Sequence, residues 1–438
     1  MNLLRARVAH FAAHGVTRAV AITLLTQAVS WSLALLVTFY LPSYLGVLNL
    51  GRLTLAWAFA GTIAGLVNLG TSNVLIAELS KSPERARSLV RTSLALRTGF
   101  AGVLVCVAAL GAWLMDFGRD VNLLIAVLLP ACLFYQVSET YLAALNGLQQ
   151  FVKLNGINLI EKVTYSGIVI ALVLGKAPLW TFGAVTMVSY GTAGIVARHA
   201  FLRATTGVAS PAERPNVASA KALARAGLPF LSSKVFSLIY GEGSTALLMS
   251  KLSTVEAIGW LGLAKRFFGA AYVIPMAISN SILPTLTKVY HDGDRARFSR
   301  LVWMLIGTVI LAALPIAIVL GVFPELLLRQ LHYPPSFAGS IPVLRIMGLV
   351  VFLWFTQQAL ATSIIAAGKH KVFGYVTGIA AILAFPVCGV SIWAGEKYLG
   401  NGAIGAMLGD TILEVVMLTF YVRALLPDLF PNWRRVAV

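Results

Sequence analysis

Nine ionisable residues fall inside long apolar runs: Arg52, Glu139, Lys234, Glu242, Lys265, Arg266, Arg345, Asp410 and Glu414. A charge at the centre of a membrane helix costs about 2.5–3.5 kcal/mol on insertion scales, so such a residue faces a wet cavity or a partner. Five of the nine are basic. Arginine offers a planar fork that matches two phosphate oxygens, and lysine a compact ammonium. A cavity lined by Arg52, Lys234, Lys265, Arg266 and Arg345 therefore suits an anionic head group. Arg52, Lys265 and Arg345 also lie near the expected outer face, where long side chains reach lipid phosphates instead. Asp410 and Glu414 are four residues apart and share one helical face. With Glu242 and Glu139 they are candidates for ion coupling, and equally for pairing with inward-facing basic groups. Asn73 and Asn280 each follow a serine, and offer hydrogen bonds either to sugar hydroxyls or to neighbouring helices.

Little else in the chain suggests reaction chemistry. The phosphate-cradling G-x-x-x-x-G-K-[ST], the zinc-binding H-E-x-x-H and the nucleophile-bearing G-x-S-x-G are absent. The six histidines fall in loops or near membrane edges, and Cys106, Cys132 and Cys388 sit in apolar runs without metal or disulfide spacing. No catalytic residue, metal or cofactor is expected. The loops on the outer side are too short for a catalytic or docking domain, which disfavours a polymerase or ligase. A conduit is expected rather than an enzyme.

The elements that must position these residues follow from composition. Of 438 residues only 11% are charged, against about 25% in soluble proteins, and mean hydropathy is +0.84. The apolar runs are long enough for helices rather than barrel strands. The fold class is all-α integral membrane. Twelve spans are expected, near 18–40, 47–74, 92–115, 121–146, 157–175, 179–200, 226–250, 257–287, 301–328, 338–367, 371–394 and 401–423. With twelve spans both termini share one side, and that side carries 24 basic residues, Arg97 among them, against nine opposite. The positive-inside rule then puts both termini in the cytoplasm. The net charge of +18 is explained by topology and by contact with anionic membrane lipids, so nucleic acid is not an expected partner. Pro130, Pro229, Pro275, Pro284, Pro315 and Pro386 fall inside spans, where they mark kinks.

The chain also reads as two halves. A basic stretch at 201–225 divides an N-lobe (18–200) from a C-lobe (226–423), with a cytoplasmic segment 1–17 before and an interfacial tail 424–438 after. Thr71 to Lys81 in span 2 echoes Ile278 to Lys288 in span 8, and each is followed by Arg-Ala-Arg. Gln136 and Gly147 are echoed at one offset by Gln357 and Gly368. A shift of six helices is even, so the repeats are parallel, as two six-helix lobes.

The segments Gly46 to Gly51 and Asn68-Leu-Gly-Thr-Ser-Asn73, with the basic loop that follows, resemble polysaccharide-transporter flippases of the multidrug/oligosaccharidyl-lipid/polysaccharide superfamily. Ile258 to Arg266, followed by Pro275 to Pro284, resembles that family's eighth span, with its arginine at Arg266. The resemblance implies two lobes and alternating access. It also implies a substrate, an undecaprenyl-diphosphate-linked oligosaccharide moved from the cytoplasmic to the outer leaflet of the bacterial inner membrane for O-antigen or exopolysaccharide synthesis. A polysaccharide polymerase or chain-length protein would be a partner. The alternatives are a cation-coupled multidrug antiporter, which would want an acidic and aromatic cavity, and a lipid II flippase, which usually has two further helices. Nothing argues for a scaffold without transport.

Overall fold

The computed structural model describes residues 2–206 and 217–430. Side chains are described from Val29 onward, apart from residues 217, 229, 232, 233, 237, 240 and 242–244. Fifteen α-helices run through the described residues, which contain no strand. In order they are α1 (Asn2–Val67), α2 (Thr71–Lys81), α3 (Ala86–Met115), α4 (Arg119–Gly147), α5 (Phe151–Leu174), α6 (Leu179–Ala204), α7 (Val217–Tyr240) and α8 (Glu242–Leu252). There follow α9 (Val255–Ala271), α10 (Val273–His291), α11 (Arg295–Val322), α12 (Pro324–Gln330), α13 (Ser340–Ala366), α14 (His370–Leu399) and α15 (Gly402–Leu429). Among the described residues ten helical runs are long and apolar enough to cross a bilayer. The protein is a multi-pass membrane protein.

The difference between twelve expected spans and ten runs has a physical origin. The first run, Val29–Val67, has 39 residues and would measure about 58 Å if straight, nearly twice a hydrocarbon core of about 30 Å. Gly46 breaks it, with φ 70° and ψ 171°, a conformation that a side chain with Cβ resists. Expected spans 1 and 2 are thus two segments of one helical run. Span 2 ends early, at Val67, where Leu69 (φ 52°) and Gly70 (φ 69°) turn the chain before α2. The expected seventh span is likewise interrupted at Gly241, between α7 and α8. The eighth is interrupted at Tyr272, between α9 and α10. Proline at 275 has no N–H to give the Ala271 carbonyl, which accounts for that break. Pro130, Pro284, Pro315 and Pro386 remain inside continuous helices.

The chain divides into two compact units, one of residues 1–37 and 60–234, the other of 38–59 and 235–438. In the first, α4 is central and packs on α2, α3 and α6, while α5 lies against α6. Leu75, Leu79, Val90, Leu145, Ile157 and Phe201 fill the interior among these helices. In the second, α13 packs on α11 and α15, and α14 pairs with α15 and α8. The middle of the expected linker (207–216) and the end of the tail (431–438), with Trp433, Arg434 and Arg435, lie outside the described residues.

Candidate functional site

In the first unit the polar residues converge on Arg97. Sequence counting set Arg97 with the cytoplasmic basic residues; the structure instead places it eleven residues into α3 with no solvent exposure. Its Nε donates to Thr71 Oγ1 (2.7 Å), its Nη2 to Ser72 Oγ (2.9 Å) and its Nη1 to Thr140 Oγ1 (3.2 Å). The turn at 68–70 makes this possible. It starts α2 afresh at Thr71, so two adjacent hydroxyls meet one guanidinium. Gly70 and Gly227 permit the turn's contact with α7, since a Cβ on either would meet backbone oxygen of the other segment. Ser72 Oγ in turn donates to Glu139 Oε1 (3.0 Å) and accepts from Asn68 Nδ2 (3.1 Å). Glu161 and Lys234 both act electrostatically on Glu139. The buried guanidinium of Arg97 and the Glu139 carboxylate therefore share this interior, within electrostatic reach of Glu161 and of the exposed Lys234, beside the paired rings of Tyr135 and Tyr190, 5.0 Å apart. Gln136 Nε2 ties α4 to the Ala64 carbonyl of α1 (2.8 Å).

In the second unit α9 carries the basic pair. Its first half is clamped to residues 47–54 of α1 by small residues. A Cβ on Gly51 would strike the Val255 carbonyl, one on Gly259 the Val47 carbonyl, and one on Gly262 the Thr54 hydroxyl. Backbones approach this closely only where side chains are missing. Ten and eleven residues from the start of α9, about 15 Å along its axis, stand Lys265 and Arg266. Lys265 Nζ pairs with Asp410 Oδ2 at 2.5 Å. Asp410 is only 8% exposed, and Glu414, one turn further along α15, is buried too. The Arg266 guanidinium lies over the Trp57 ring, 5.3 Å from its centroid. It also acts on Tyr333, in the loop before α13, whose hydroxyl donates to the Phe39 carbonyl (2.7 Å).

The remaining sequence candidates lie elsewhere. Arg52 Nη1 donates to Asn49 Oδ1 on its own helix (3.0 Å). Arg345 pairs with Glu325 at 2.6 Å, with both side chains about half exposed, as a solvated ion pair at a helix end. Asn73 and Asn280 are exposed, each next to a buried serine. Lys234 is exposed, and the side chain of Glu242 lies outside the described residues.

Three polar residues of the two units were not singled out from sequence. They are Arg97, Glu161 and Asp428. Asp428 sits in the expected tail, yet α15 continues through it. There its carboxylate binds Lys369 Nζ at 2.6 Å and Arg295 Nη1 at 3.6 Å, joining the start of α11 and the turn after α13 to the end of α15. Hydropathy gives no sign of Arg97's burial, because a charged residue between an edge and a span reads as edge.

A family model described as polysaccharide biosynthesis protein matches residues 16–291, and one described as MatE matches residues 235–390. No curated protein matches the sequence. Three similar solved structures define the fold. An inward-facing multidrug resistance MATE family transporter of the MOP superfamily is 13% identical, with 93% of this chain and 98% of that chain covered and a TM-score of 0.73. The lipid II flippase MurJ, in an inward closed conformation, is 13% identical over 94% and 89%, with a TM-score of 0.70. A Vibrio cholerae MATE transporter in its bent form is 18% identical over 94% and 99%, with a TM-score of 0.51. Such identities speak for fold alone: a two-lobed, all-helical architecture of the MATE type.

Proposed function

Because the chain belongs to the polysaccharide biosynthesis protein family, we propose that it is a flippase for an undecaprenyl-diphosphate-linked oligosaccharide. It carries this lipid from the cytoplasmic to the outer leaflet of the bacterial inner membrane by alternating access, with both termini cytoplasmic. The observation that carries the reading is the basic pair in mid-helix. Lys265 and Arg266 stand about 15 Å into an apolar helix, where each charge costs about 2.5–3.5 kcal/mol to insert. An anionic diphosphate offsets that cost. Arg266, over the Trp57 ring, presents the fork, and Lys234 on α7 is a further candidate for the diphosphate. Lys265 is held by Asp410, so it serves the diphosphate when that carboxylate is protonated or takes another cation. Asp410 with Glu414, Glu139 and Glu242 are the groups assigned to ion coupling. Arg345, paired with Glu325 near the start of α13, and Arg52, bonded to Asn49 shortly after the Gly46 break, fit recruitment of head groups from the lipid surface. Asn73 and Asn280, both exposed, are the candidates for sugar hydroxyls. Inside-negative potential assists export, by about 2.3 kcal/mol per negative charge per 100 mV. A polymerase or chain-length protein then receives the product.

A second reading, a cation-coupled multidrug antiporter, has one observation in its favour beyond the MatE match. Glu139 and Glu161 lie near the Tyr135 and Tyr190 rings, and carboxylates with aromatic faces suit organic cations. Transbilayer movement in proteoliposomes decides between them. The flippase reading expects wild type to move a polyprenyl-diphosphate oligosaccharide, and Arg266→Ala or Lys234→Ala to slow it at least tenfold. Failure with glycan-bearing carriers and with lipid II, together with gradient-driven uptake of an organic cation, would overturn it in favour of the antiporter.

A further inference from the structure

Tryptophan and tyrosine in membrane helices concentrate at the two interfaces, where their polar tips reach water. Two residues of the second unit stand at the opposite depth. The run Val255–His291 has its midpoint at residue 273, and Tyr272 is next to it. The helix α13 has its midpoint at residue 353, and Trp354 is next to that. Their ring centroids are 4.8 Å apart at an interplanar angle of 36°. Phe268, one turn back on α9, meets the Trp354 ring edge-on at 5.3 Å and completes a three-ring cluster. The cluster is not closed over. Tyr272 is 39% exposed, and Trp354 is half-buried. Among the described residues the side-chain contacts recorded for Tyr272 are with these rings, so its hydroxyl is left to whatever fills the space in front of it. At mid-span that space cannot be hydrocarbon without an unsatisfied hydroxyl, which costs several kcal/mol on cyclohexane scales of about 4–8. The face in question is therefore wet or ligand-filled.

Which ligand follows from what else shares the face. Lys265, Phe268 and Tyr272 recur at i, i+3 and i+7, so one side of α9 presents a cation and then two rings. The backbone stays helical through Tyr272, which keeps its ring on this side, and Trp354 backs it from α13. An aromatic face with a hydroxyl at its rim suits a pyranose, whose C–H face packs on a ring while its hydroxyls take and give hydrogen bonds. We infer that Tyr272 and Trp354 form a shelf on which a sugar ring of the transported oligosaccharide stacks, one helical stretch inward of the basic pair. This rests on the flippase reading and assigns its glycan subsite. An aromatic shelf accepts many pyranoses, because every one has a C–H face. Selectivity would then come from hydroxyls around the rim.

The test is calorimetric binding to full-length protein in detergent. The probes are geranyl diphosphate and a panel of geranyl-diphosphate trisaccharides covering neutral, N-acetylated and acidic hexoses. Wild type should bind at least one trisaccharide about tenfold more tightly than bare geranyl diphosphate. Tyr272→Ala and Trp354→Ala should abolish that gain while leaving the bare probe within about twofold. Tyr272→Phe and Trp354→Phe keep a ring and should retain most of it, which separates stacking from a loss of fold. A wild type that gains nothing from any sugar would overturn the shelf, as would variants that weaken both probes alike or neither. A wild type that binds neither probe would overturn the flippase reading, and the shelf with it.

Discussion

Arg97→Ala tests whether the first unit is held together by its buried guanidinium. The side chain has no solvent exposure and donates three hydrogen bonds, two to α2 and one to α4. Hydrogen bonds between membrane helices average about 0.6 kcal/mol and reach about 1.7 kcal/mol, so three are worth about 2–5 kcal/mol. Removing the guanidinium also leaves the buried hydroxyls of Thr71, Ser72 and Thr140 without their donor, which places the loss in the upper part of that range. Alanine also leaves the volume of a large side chain empty. Arg97→Lys keeps the charge but not the fork, so it should cost about half as much. Equilibrium unfolding of the full chain in mixed detergent measures these differences. A double-mutant cycle with Thr140→Val should show a coupling of about 0.5–2 kcal/mol, while Arg97→Ala and Arg345→Ala, in different units, should add. A loss below about 1 kcal/mol for Arg97→Ala, or equal losses for alanine and lysine, would refute the idea that the hydrogen-bonded fork is what joins α2, α3 and α4.

Three further outcomes follow from the second unit. Gly259→Leu sets a side chain against the Val47 carbonyl and should destabilise by about 1–3 kcal/mol or more, whereas Gly269→Ala, with nothing within 4 Å, should be neutral or slightly stabilising; melting in detergent compares them. Lys265→Met leaves the buried Asp410 carboxylate without its ammonium and should cost about 3–5 kcal/mol, of which Lys265→Met with Asp410→Leu recovers most; a double variant worse than either single one would contradict a simple pair. Pro275→Ala returns an N–H to the Ala271 carbonyl and should raise stability by about 1 kcal/mol while slowing lipid movement in proteoliposomes; faster movement would show that the break at Tyr272 is not used as a hinge.

Hydropathy exposed the helical class and the approximate place of most spans, because the bilayer imposes one length and one polarity on anything that crosses it. It did not expose where those spans break. Gly46, the 68–70 turn and Gly241 interrupt hydrophobic runs, and hydropathy carries no information about φ and ψ; at Tyr272 the backbone angles stay helical and only the hydrogen-bond ladder opens, at Pro275. Proline was an uneven guide: Pro275 accompanies a break, yet Pro130, Pro315 and Pro386 sit in continuous helices. The candidate site divides in the same manner. Lys265, Arg266, Asp410 and Glu414 stood out because a charge deep in an apolar run is anomalous by itself. Arg97 did not, since it lies among five basic residues at a span's edge and only the fold shows which of them turns inward. Tyr272 and Trp354 were silent as well, because an aromatic residue in an apolar run is unremarkable until its depth and its neighbours are known. The parts that sequence concealed are also the parts with mechanical meaning. The Arg97 joint and the glycine contact between α1 and α9 make stiff pieces within each unit, and the breaks are the positions where the helical hydrogen-bond ladder is already open. Bending there sacrifices the fewest hydrogen bonds, so the turn at 68–70 and the break at Tyr272 are where movement within a unit costs least. Each adjoins a polar or aromatic group assigned to substrate or coupling, Ser72 with Glu139 in one unit and Tyr272 itself in the other. A ligand or proton that binds at either place acts on the joint directly, without a long path through packed side chains.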